Sequence, residues 1–386
     1  MTAARHRLIM MSAGEASGDL HGATVCRAIK RLDPQVRVLG MGGARMAAAG
    51  VEILVDPTAH AGVGTNEVIG RIPSLFRAYR LLVRRLRRER PQALVVIDFP
   101  EFNLRLARHA KRARVPVVYF MPPQLWAWRS GRIRQMASRV TQVLAAFPFE
   151  RDLYADAHVP VEYVGHPLLD VVPFSLSLEE GRRRLGLPKD GPVVGLLPGS
   201  RREEIEHLLP PMLEAAAALA GADGRRRFVL GRAPTVSRRA IQAFIDRAAG
   251  APPVEVIEDQ THEVMAAADV LLVASGTATL EAALLGTPMV VCYRVSRLTE
   301  VVGRLLKQIP WISLPNIVAR RTAVPEILQA DVTGARLAAE AERLLQDREG
   351  AATTQRAAFK DLRERLGEPG VGERAARAIL KVAGTA

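Results

Sequence analysis

Asp98 is the side chain whose type and setting best suit proton transfer. It directly follows the apolar run 93–97, which predicts a buried strand, and Phe99 and Phe102 lie close by in sequence. An aspartate that is partly desolvated by apolar neighbours is expected to have the raised pKa that a general base needs. A helix N-cap is the alternative role for Asp98, and the local sequence leaves both open.

The loop after the run 193–197 has the composition of a phosphate-binding turn. It contains Gly199, Ser200 and Arg201 and opens a helical segment. Free backbone N–H groups at a helix start, a permissive glycine and a guanidinium together suit a diphosphate. A turn with an N-cap and solvated arginines is the alternative.

A second loop of this kind follows the run 270–273. Ser275, Gly276 and Thr277 precede a helix, and Glu281 lies one turn into it. This helix start favours an anion, and Glu281 could accept hydrogen bonds from a ribose diol. Glu281 could instead serve only as a carboxylate near the helix dipole. Two such loops in one half of the chain predict a nucleotide site.

Other cofactor classes lack their motifs. The pairs Gly40/Gly42 and Gly62/Gly64 each miss the third glycine of the dinucleotide fingerprint, and no P-loop sequence occurs. The eight histidines are scattered, without paired cysteines or an aspartate pair of the D-x-D type. The sequence therefore predicts neither an organic cofactor nor a metal ion.

Composition limits the class of protein. The 386 residues are 48% hydrophobic and 24% charged, as in folded two-domain enzymes, and the net charge of +14 attracts phosphate-rich partners. Cys26 and Cys292 lie in apolar runs, which indicates buried thiols in a reducing compartment. Because we find neither a signal peptide nor about 18 consecutive apolar residues, we expect a cytoplasmic protein with only peripheral membrane contact.

Apolar runs alternate with helical patterns, which predicts parallel βαβ units and an α/β fold. The pattern pauses at residues 165–167 and restarts at Val193, so we place a boundary near residue 170 between two Rossmann-like halves. The predicted strands are Leu8–Met11, Val36–Leu39, Ala93–Ile97, Val115–Phe120, Val193–Leu197, Val270–Val273 and Met289–Cys292.

Residues 71–90 form a basic amphipathic segment with eight arginines. A helix of this kind can lie on anionic lipid, or it can pack on the core with a solvated basic face, and both remain open. The apolar residues at helical spacing are Ile72, Leu75, Phe76, Tyr79, Leu82, Val83 and Leu86.

Taken in order, nine short motifs resemble those of the lipid-A-disaccharide synthases. The resemblance covers nearly the whole chain, and the pairing of WAWR with SLPN is specific. The motifs are GEASGD (14–19), D-x-PEFN (98–103), PQLWAWR (123–129), FPFE (147–150), VGHP (164–167), LPGSR (197–201), SGTA (275–278), SLPN (313–316) and VPE (324–326).

The resemblance implies an inverting glycosyltransferase of the GT-B type, with two Rossmann-like domains that face each other across a cleft. Residues 1–170 would hold the acceptor and face the membrane, joined by a C-terminal helix of about residues 355–386 that crosses back. Residues 171–354 would hold the UDP-sugar. The implied reaction joins UDP-2,3-diacylglucosamine to the 6-hydroxyl of 2,3-diacylglucosamine 1-phosphate, giving lipid A disaccharide 1-phosphate and UDP.

The resemblance also implies roles for particular residues. Asp98 matches the essential aspartate of the family, and helix N-termini with Arg201 would stabilise the departing diphosphate without a metal. The residues expected to bind UDP-sugar are Gly199, Ser200, Arg201, Ser275, Gly276, Thr277, Glu281 and Asn316. The residues expected to face acceptor or lipid are Glu15, Ser17, Glu67, Trp126, Trp128 and Arg129.

The expected partners are the two sugar lipids and the anionic cytoplasmic face of the inner membrane of a Gram-negative bacterium; a homodimer stays open. Val63, Met121 and Arg320 depart from the family pattern, which leaves the acyl-chain preference open. An enzyme resembling UDP-N-acetylglucosamine 2-epimerase is the alternative, since it shares the fold and the UDP loops. Nucleic-acid binding rests only on charge, without a recognised module, and is not expected.

Overall fold

A computed structural model describes residues 7–57, 67–123, 133–294 and 310–384. The chain divides into two compact units, Met1–Val171 with Leu366–Ala386, and Val172–Arg365. Each unit has its own parallel sheet with helices between the strands, of seven strands in the first and six in the second. The predicted α/β class is therefore confirmed.

The strands of the first unit are Leu8–Ala13 (β1), Arg37–Met41 (β2), Val51–Val55 (β3), Ala93–Ile97 (β4), Val117–Phe120 (β5), Gln142–Ala145 (β6) and Val161–Tyr163 (β7). Those of the second unit are Val193–Leu197 (β8), Arg227–Arg232 (β9), Val254–Glu258 (β10), Val270–Ala274 (β11), Met289–Tyr293 (β12) and Glu326–Leu328 (β13).

The α-helices in the described residues are Ala16–Leu32 (α1), Ala44–Ala48 (α2), Glu67–Glu89 (α3), Pro100–Arg112 (α4), Ile133–Arg139 (α5), Pro148–Asp156 (α6), Leu178–Leu185 (α7), Arg202–Ala222 (α8), Arg238–Arg247 (α9), Thr261–Ala267 (α10), Thr277–Leu285 (α11), Leu314–Ala319 (α12), Gly334–Gln346 (α13), Thr353–Leu366 (α14) and Val371–Val382 (α15). Among them, none has both the length and the apolar character needed to cross a bilayer.

The seven predicted strands all exist, because fully buried parallel strands read as continuous apolar runs. The structure adds β3, β6, β7, β9, β10 and β13, which were not predicted. Four of these, β3, β7, β10 and β13, lie at the sheet edges. An edge strand is only partly covered, so polar residues interrupt its apolar pattern and weaken the signal.

Both sheets reverse their strand order once, and each reversal brings two loops together. In the first unit the order is β3-β2-β1-β4-β5-β6-β7, and Ala13 pairs with Ile97 at the ends of β1 and β4. In the second the order is β10-β9-β8-β11-β12-β13, and Leu197 pairs with Val273. Ligands of doubly wound sheets bind beside such switch points.

The C-terminal segment returns to the first unit at Leu366, later than the predicted residue 355. The single predicted helix is two helices, α14 and α15, separated at Gly367 and Gly370, which both have a left-handed φ of 91°. Helix α15 packs on α1. The Asp170 carboxylate accepts hydrogen bonds from the N–H groups of Gly370 (2.6 Å) and Gly372 (2.7 Å), which fixes the start of α15.

Candidate active site

Asp98 leaves the end of β4 at the switch point of the first sheet and lies against the start of α1. Its Oδ2 accepts a hydrogen bond from the Ser17 hydroxyl at 3.4 Å. A Cβ on Gly18 would lie 3.4 Å from the same oxygen, and a Cβ on Gly14 would lie 2.3 Å from the Phe99 ring. The two glycines of the GEASGD motif therefore let the Asp98 turn approach α1 closely.

The environment of Asp98 favours its neutral form. Burial and then the negative charge of Glu15 raise the pKa of the Asp98 carboxyl from 3.8 to about 7, against the opposing hydrogen bond from Ser17. A carboxyl with a pKa near neutrality can release and accept a proton at physiological pH, as a general base must. The raised pKa that was inferred from the neighbouring phenylalanines is present, and the contribution of Glu15 to that pKa was not predicted.

The predicted acceptor-facing residues have three different outcomes in the structure. The structure brings Glu15, which is exposed, and Ser17, which is half-buried, to the Asp98 turn. Glu67 is the first residue of α3, in a stretch whose side chains the structure does not describe. Trp126, Trp128, Arg129 and the departure at Val63 lie outside the described residues.

Asp19, the last residue of the same motif, has a structural role. Its buried carboxylate accepts hydrogen bonds from the N–H groups of Gly43 (2.7 Å), Met46 (3.0 Å) and Arg45 (3.1 Å). These are the unpaired donors at the start of α2, which a carboxylate satisfies well. Asp19 therefore ties α1 to α2.

The loop at Gly199 differs from its prediction. The Ser200 and Arg201 N–H groups, expected to be free for phosphate, donate to Oε2 of Glu204 at 2.8 and 3.1 Å. Gly199 has a left-handed φ of 111°, and a Cβ there would lie 2.3 Å from the same oxygen. The chain's own carboxylate thus occupies these amides. The Arg201 side chain is 67% exposed and so can still meet an anion, although its guanidinium already lies 3.3 Å from Glu204 Oε1.

The second predicted loop leaves room for a ligand at its glycine. Gly276 is exposed, its φ of 163° is extended, and a Cβ built on it would meet no atom within 4 Å. Neither the backbone conformation nor the packing of the described residues therefore requires glycine here. Thr277 begins α11, and the Ser275 hydroxyl donates to the Ile312 carbonyl at 3.1 Å.

Glu281 has a partner that the sequence did not suggest. Its Oε2 lies 2.9 Å from Nε2 of His262, at the start of α10, and the two side chains are 19% and 24% exposed. The pair fixes one oxygen of the carboxylate, and each carboxylate oxygen can accept more than one hydrogen bond. His262 is separated from Glu281 by a whole β-strand, so no local pattern pointed to it.

The prediction that Asn316 contacts UDP is corrected by its hydrogen bonds. The side chain is completely buried, and its amide nitrogen donates to Glu326 (2.8 Å) and to the Val324 carbonyl (2.9 Å). Its oxygen accepts from the N–H groups of Ala323 (2.7 Å) and Val324 (2.9 Å). All four hydrogen-bonding positions of the amide are used. Asn316 therefore holds the loop and has none left for a nucleotide.

Glu326, from the VPE motif, completes this network. Its carboxylate accepts from the N–H groups of Ile312 (3.0 Å) and Ser313 (2.9 Å) and from the Ser313 hydroxyl (2.6 Å). Because Ser275 bonds to the Ile312 carbonyl, the same network fixes the loop at Gly276. The motif was recognised in the sequence, but the role of its half-buried glutamate as an acceptor depends on these tertiary contacts.

A family model described as lipid-A-disaccharide synthetase matches residues 9–382. The chain belongs to the lipid-A-disaccharide synthase family. The lipid-A-disaccharide synthase of Syntrophotalea carbinolica is 42% identical over 377 residues, covering 97% of this chain and 95% of the relative. That of Geobacter metallireducens is 42% identical over 384 residues, covering 100% and 99%. That of Myxococcus xanthus is 41% identical over 375 residues, covering 97% of each.

Membership in the family makes the protein a glycosyltransferase of lipid A biosynthesis and confirms both the predicted resemblance and the enzyme class. Solved structures agree on the fold. UDP-GlcNAc 2-epimerase from Neisseria meningitidis, bound to UDP-GlcNAc, has a TM-score of 0.64 at 14% identity and covers 97% of this chain and 99% of its own. An S. aureus MnaA–UDP structure has a TM-score of 0.66 at 13% identity and covers 98% of each.

Proposed function

We propose that the chain transfers 2,3-diacylglucosamine from its UDP derivative to the 6-hydroxyl of 2,3-diacylglucosamine 1-phosphate, with inversion to a β linkage. Asp98 takes the proton of the hydroxyl as its oxygen attacks the anomeric carbon, and the bond from that carbon to UDP breaks. The observation that carries the proposal is the placement of Asp98, a carboxyl with a pKa near 7 beside Ser17 and Glu15 at a switch point.

The UDP-sugar binds the second unit, at the switch point between β8 and β11. Support comes from Gly276, which the packing of the described residues does not require, because close approach of a ligand would explain a glycine there. Arg201 supplies an exposed guanidinium on the neighbouring loop, and Glu281 lies one turn into α11. Several structural neighbours hold UDP or UDP-sugars.

The departing diphosphate is stabilised by the Arg201 guanidinium and by the backbone N–H groups at the start of α11. Because the Ser200 amide already bonds Glu204, the α11 start takes the larger share. We expect turnover to survive thorough chelation. Activity that is lost on chelation and restored by magnesium would refute a metal-independent reaction.

Helix α3 provides the contact with anionic lipid. Leu82 and Leu86 pack into the core, whereas Phe76, predicted to share their apolar stripe, is 58% exposed. The Arg80 guanidinium lies 5.8 Å from the centre of the Phe76 ring. An exposed aromatic ring among solvated arginines suits the headgroup region of an anionic leaflet.

Vesicle flotation tests this contact. A variant with Arg77→Glu and Arg84→Glu should lose binding to anionic vesicles, since each basic residue near such a surface is worth about 1 kcal/mol. The control variant, Arg239→Glu with Arg247→Glu, makes the same change in net charge at exposed positions of α9 and should still bind anionic vesicles. Equal flotation of the two variants, or of the wild type with neutral and anionic vesicles, would remove α3 from the proposal.

The reaction is tested by UDP release from UDP-2,3-diacylglucosamine, with and without 2,3-diacylglucosamine 1-phosphate. We expect release only with acceptor, and its loss in Asp98→Ala. Release without acceptor, or the same rate in Asp98→Ala, would contradict the proposal. Release of UDP without acceptor would make an epimerase-like enzyme the next hypothesis; the structural neighbours support that alternative through fold alone.

A further inference from the structure

The backbone turn that presents Asp98 is strained. Asp98 has φ 48° and Phe99 has φ 45° and ψ 58°, so two consecutive non-glycine residues adopt the left-handed conformation. Phe99 also precedes Pro100, and a bulky residue before proline strongly prefers extended backbone. Strain of this kind persists only where surrounding contacts enforce it, and it is concentrated at functional sites.

Two buried side chains hold this turn through the Asp98 carbonyl. The carbonyl oxygen accepts one hydrogen bond from the Tyr119 hydroxyl and one from Asn103 Nδ2, both at 2.8 Å, which uses both of its lone pairs. Tyr119 lies on β5 and Asn103 on α4, and both side chains are completely buried. Asn103 is itself held by the Ser12 hydroxyl, which donates to Oδ1 at 2.7 Å.

The direction of the Asp98 carboxylate depends on the same turn. With the carbonyl fixed towards β5, the carboxylate lies beside α1, where Ser17 donates to it and where Glu15 is the charged group that acts on it. A turn released from its carbonyl contacts would relax towards extended backbone and turn the carboxylate away from α1. The Tyr119 hydroxyl on β5 would therefore direct the Asp98 carboxylate, which follows β4, through the backbone carbonyl and without contacting the carboxylate itself.

We propose that Tyr119 is a positioning residue for the Asp98 base: its hydroxyl, with the Asn103 amide, holds the left-handed turn that aims the carboxylate at the start of α1. This role rests on the proposed function of Asp98. A tyrosine that only fills the core would also need a partner for its hydroxyl. The two roles differ in whether loss of the hydroxyl changes the titration of Asp98.

The test compares Tyr119→Phe with Tyr154→Phe. Tyr154 is also completely buried in the first unit, and its hydroxyl donates to the Pro123 carbonyl at 3.4 Å, so its loss is a matched control. Acceptor-dependent UDP release is measured from about pH 5 to about pH 9, spanning the pKa of the proposed base. Thermal unfolding of both variants is followed alongside.

For Tyr119→Phe we expect kcat to fall by roughly 10- to 100-fold with KM nearly unchanged, as for a misplaced catalytic group. The wild-type rate should rise with pH through a midpoint near 7, set by the pKa of Asp98. That midpoint should move to lower pH in Tyr119→Phe, because the carboxylate reaches water, and stay in place in Tyr154→Phe. A wild-type kcat and midpoint in Tyr119→Phe, or equal changes in both variants, would overturn the proposal.

If Tyr119→Phe does not fold, the comparison is repeated in a Phe99→Gly background, because glycine adopts the left-handed turn without strain but does not enforce it. The same fall in kcat and the same shift of the midpoint are expected relative to Phe99→Gly alone, and their absence would overturn the positioning role. Failure of the proposed function looks different. In that case the wild type lacks acceptor-dependent release, or Asp98→Ala retains it.

Discussion

Asp98→Asn should make the protein more stable at neutral and alkaline pH while it abolishes activity. Burial and the negative charge of Glu15 raise the pKa of Asp98 to about 7 in the folded chain, against 3.8 ordinarily. Ionised Asp98 therefore weakens the fold. Asparagine has nearly the same shape, stays neutral, and can still accept the hydrogen bond from Ser17.

The sign and size of the effect follow from the two pKa values. Below about pH 4 the carboxyl is neutral in both states, so the wild type carries no penalty. Between about pH 4 and pH 7 the folded chain holds a proton that the unfolded chain has released, so the wild type loses stability as pH rises. The full difference corresponds to a ceiling of about 4 kcal/mol. Because Asp98 is partly exposed to solvent, we expect Asp98→Asn to raise the free energy of unfolding at pH 8 by about 2 kcal/mol.

Urea unfolding followed by circular dichroism, at several pH values, measures the difference between the wild type and Asp98→Asn. Asp19→Asn is the contrasting variant. The Asp19 carboxylate accepts three backbone hydrogen bonds, so replacing it with a neutral amide should lower the free energy of unfolding by about 1–3 kcal/mol. A stability gain in Asp98→Asn that does not change with pH, or no gain at pH 8, would refute the reasoning.

Three further predictions concern the second unit. Gly276→Ala should change the free energy of unfolding by less than about 0.5 kcal/mol but weaken UDP binding, measured by calorimetry, at least about tenfold; unchanged UDP affinity would contradict a ligand there. Gly199→Ala, its contrast, should destabilise the fold by about 1–3 kcal/mol, because Gly199 has a left-handed φ and an added Cβ would clash with the Glu204 carboxylate. Arg320→Gly should stabilise by about 0.5–1 kcal/mol, since Arg320 caps α12 at φ 53°, and no gain in urea unfolding would contradict this. Asn316→Ala should lower the free energy of unfolding by about 2–4 kcal/mol. A variant of unchanged stability that has lost UDP affinity would instead support a direct contact between Asn316 and the nucleotide.

Much of the site was visible in the sequence because its elements are local. The apolar runs that predict β1, β4, β8 and β11 are continuous because both faces of these strands are buried, and the loops after them follow directly. The raised pKa of Asp98 was also predictable, because Phe99 and Phe102, the apolar neighbours that pointed to it, lie close by in sequence. The capping of Ser200 and Arg201 was also readable, since Glu204 stands three residues after Arg201, the spacing of a capping box.

What the sequence by itself determined is therefore the family and the central strands with the loops that follow them, because each depends on residue type and short spacing. The tertiary structure alone decided which polar groups are already used. Asn316 was expected to bind the UDP-sugar, but its contacts with Glu326 and Val324 occupy its amide, and the hydrogen bond from the Tyr119 hydroxyl to the Asp98 carbonyl exists only in the folded chain. Hydrogen-bonding capacity is consumed by partners that only folding brings near, so no sequence pattern records it.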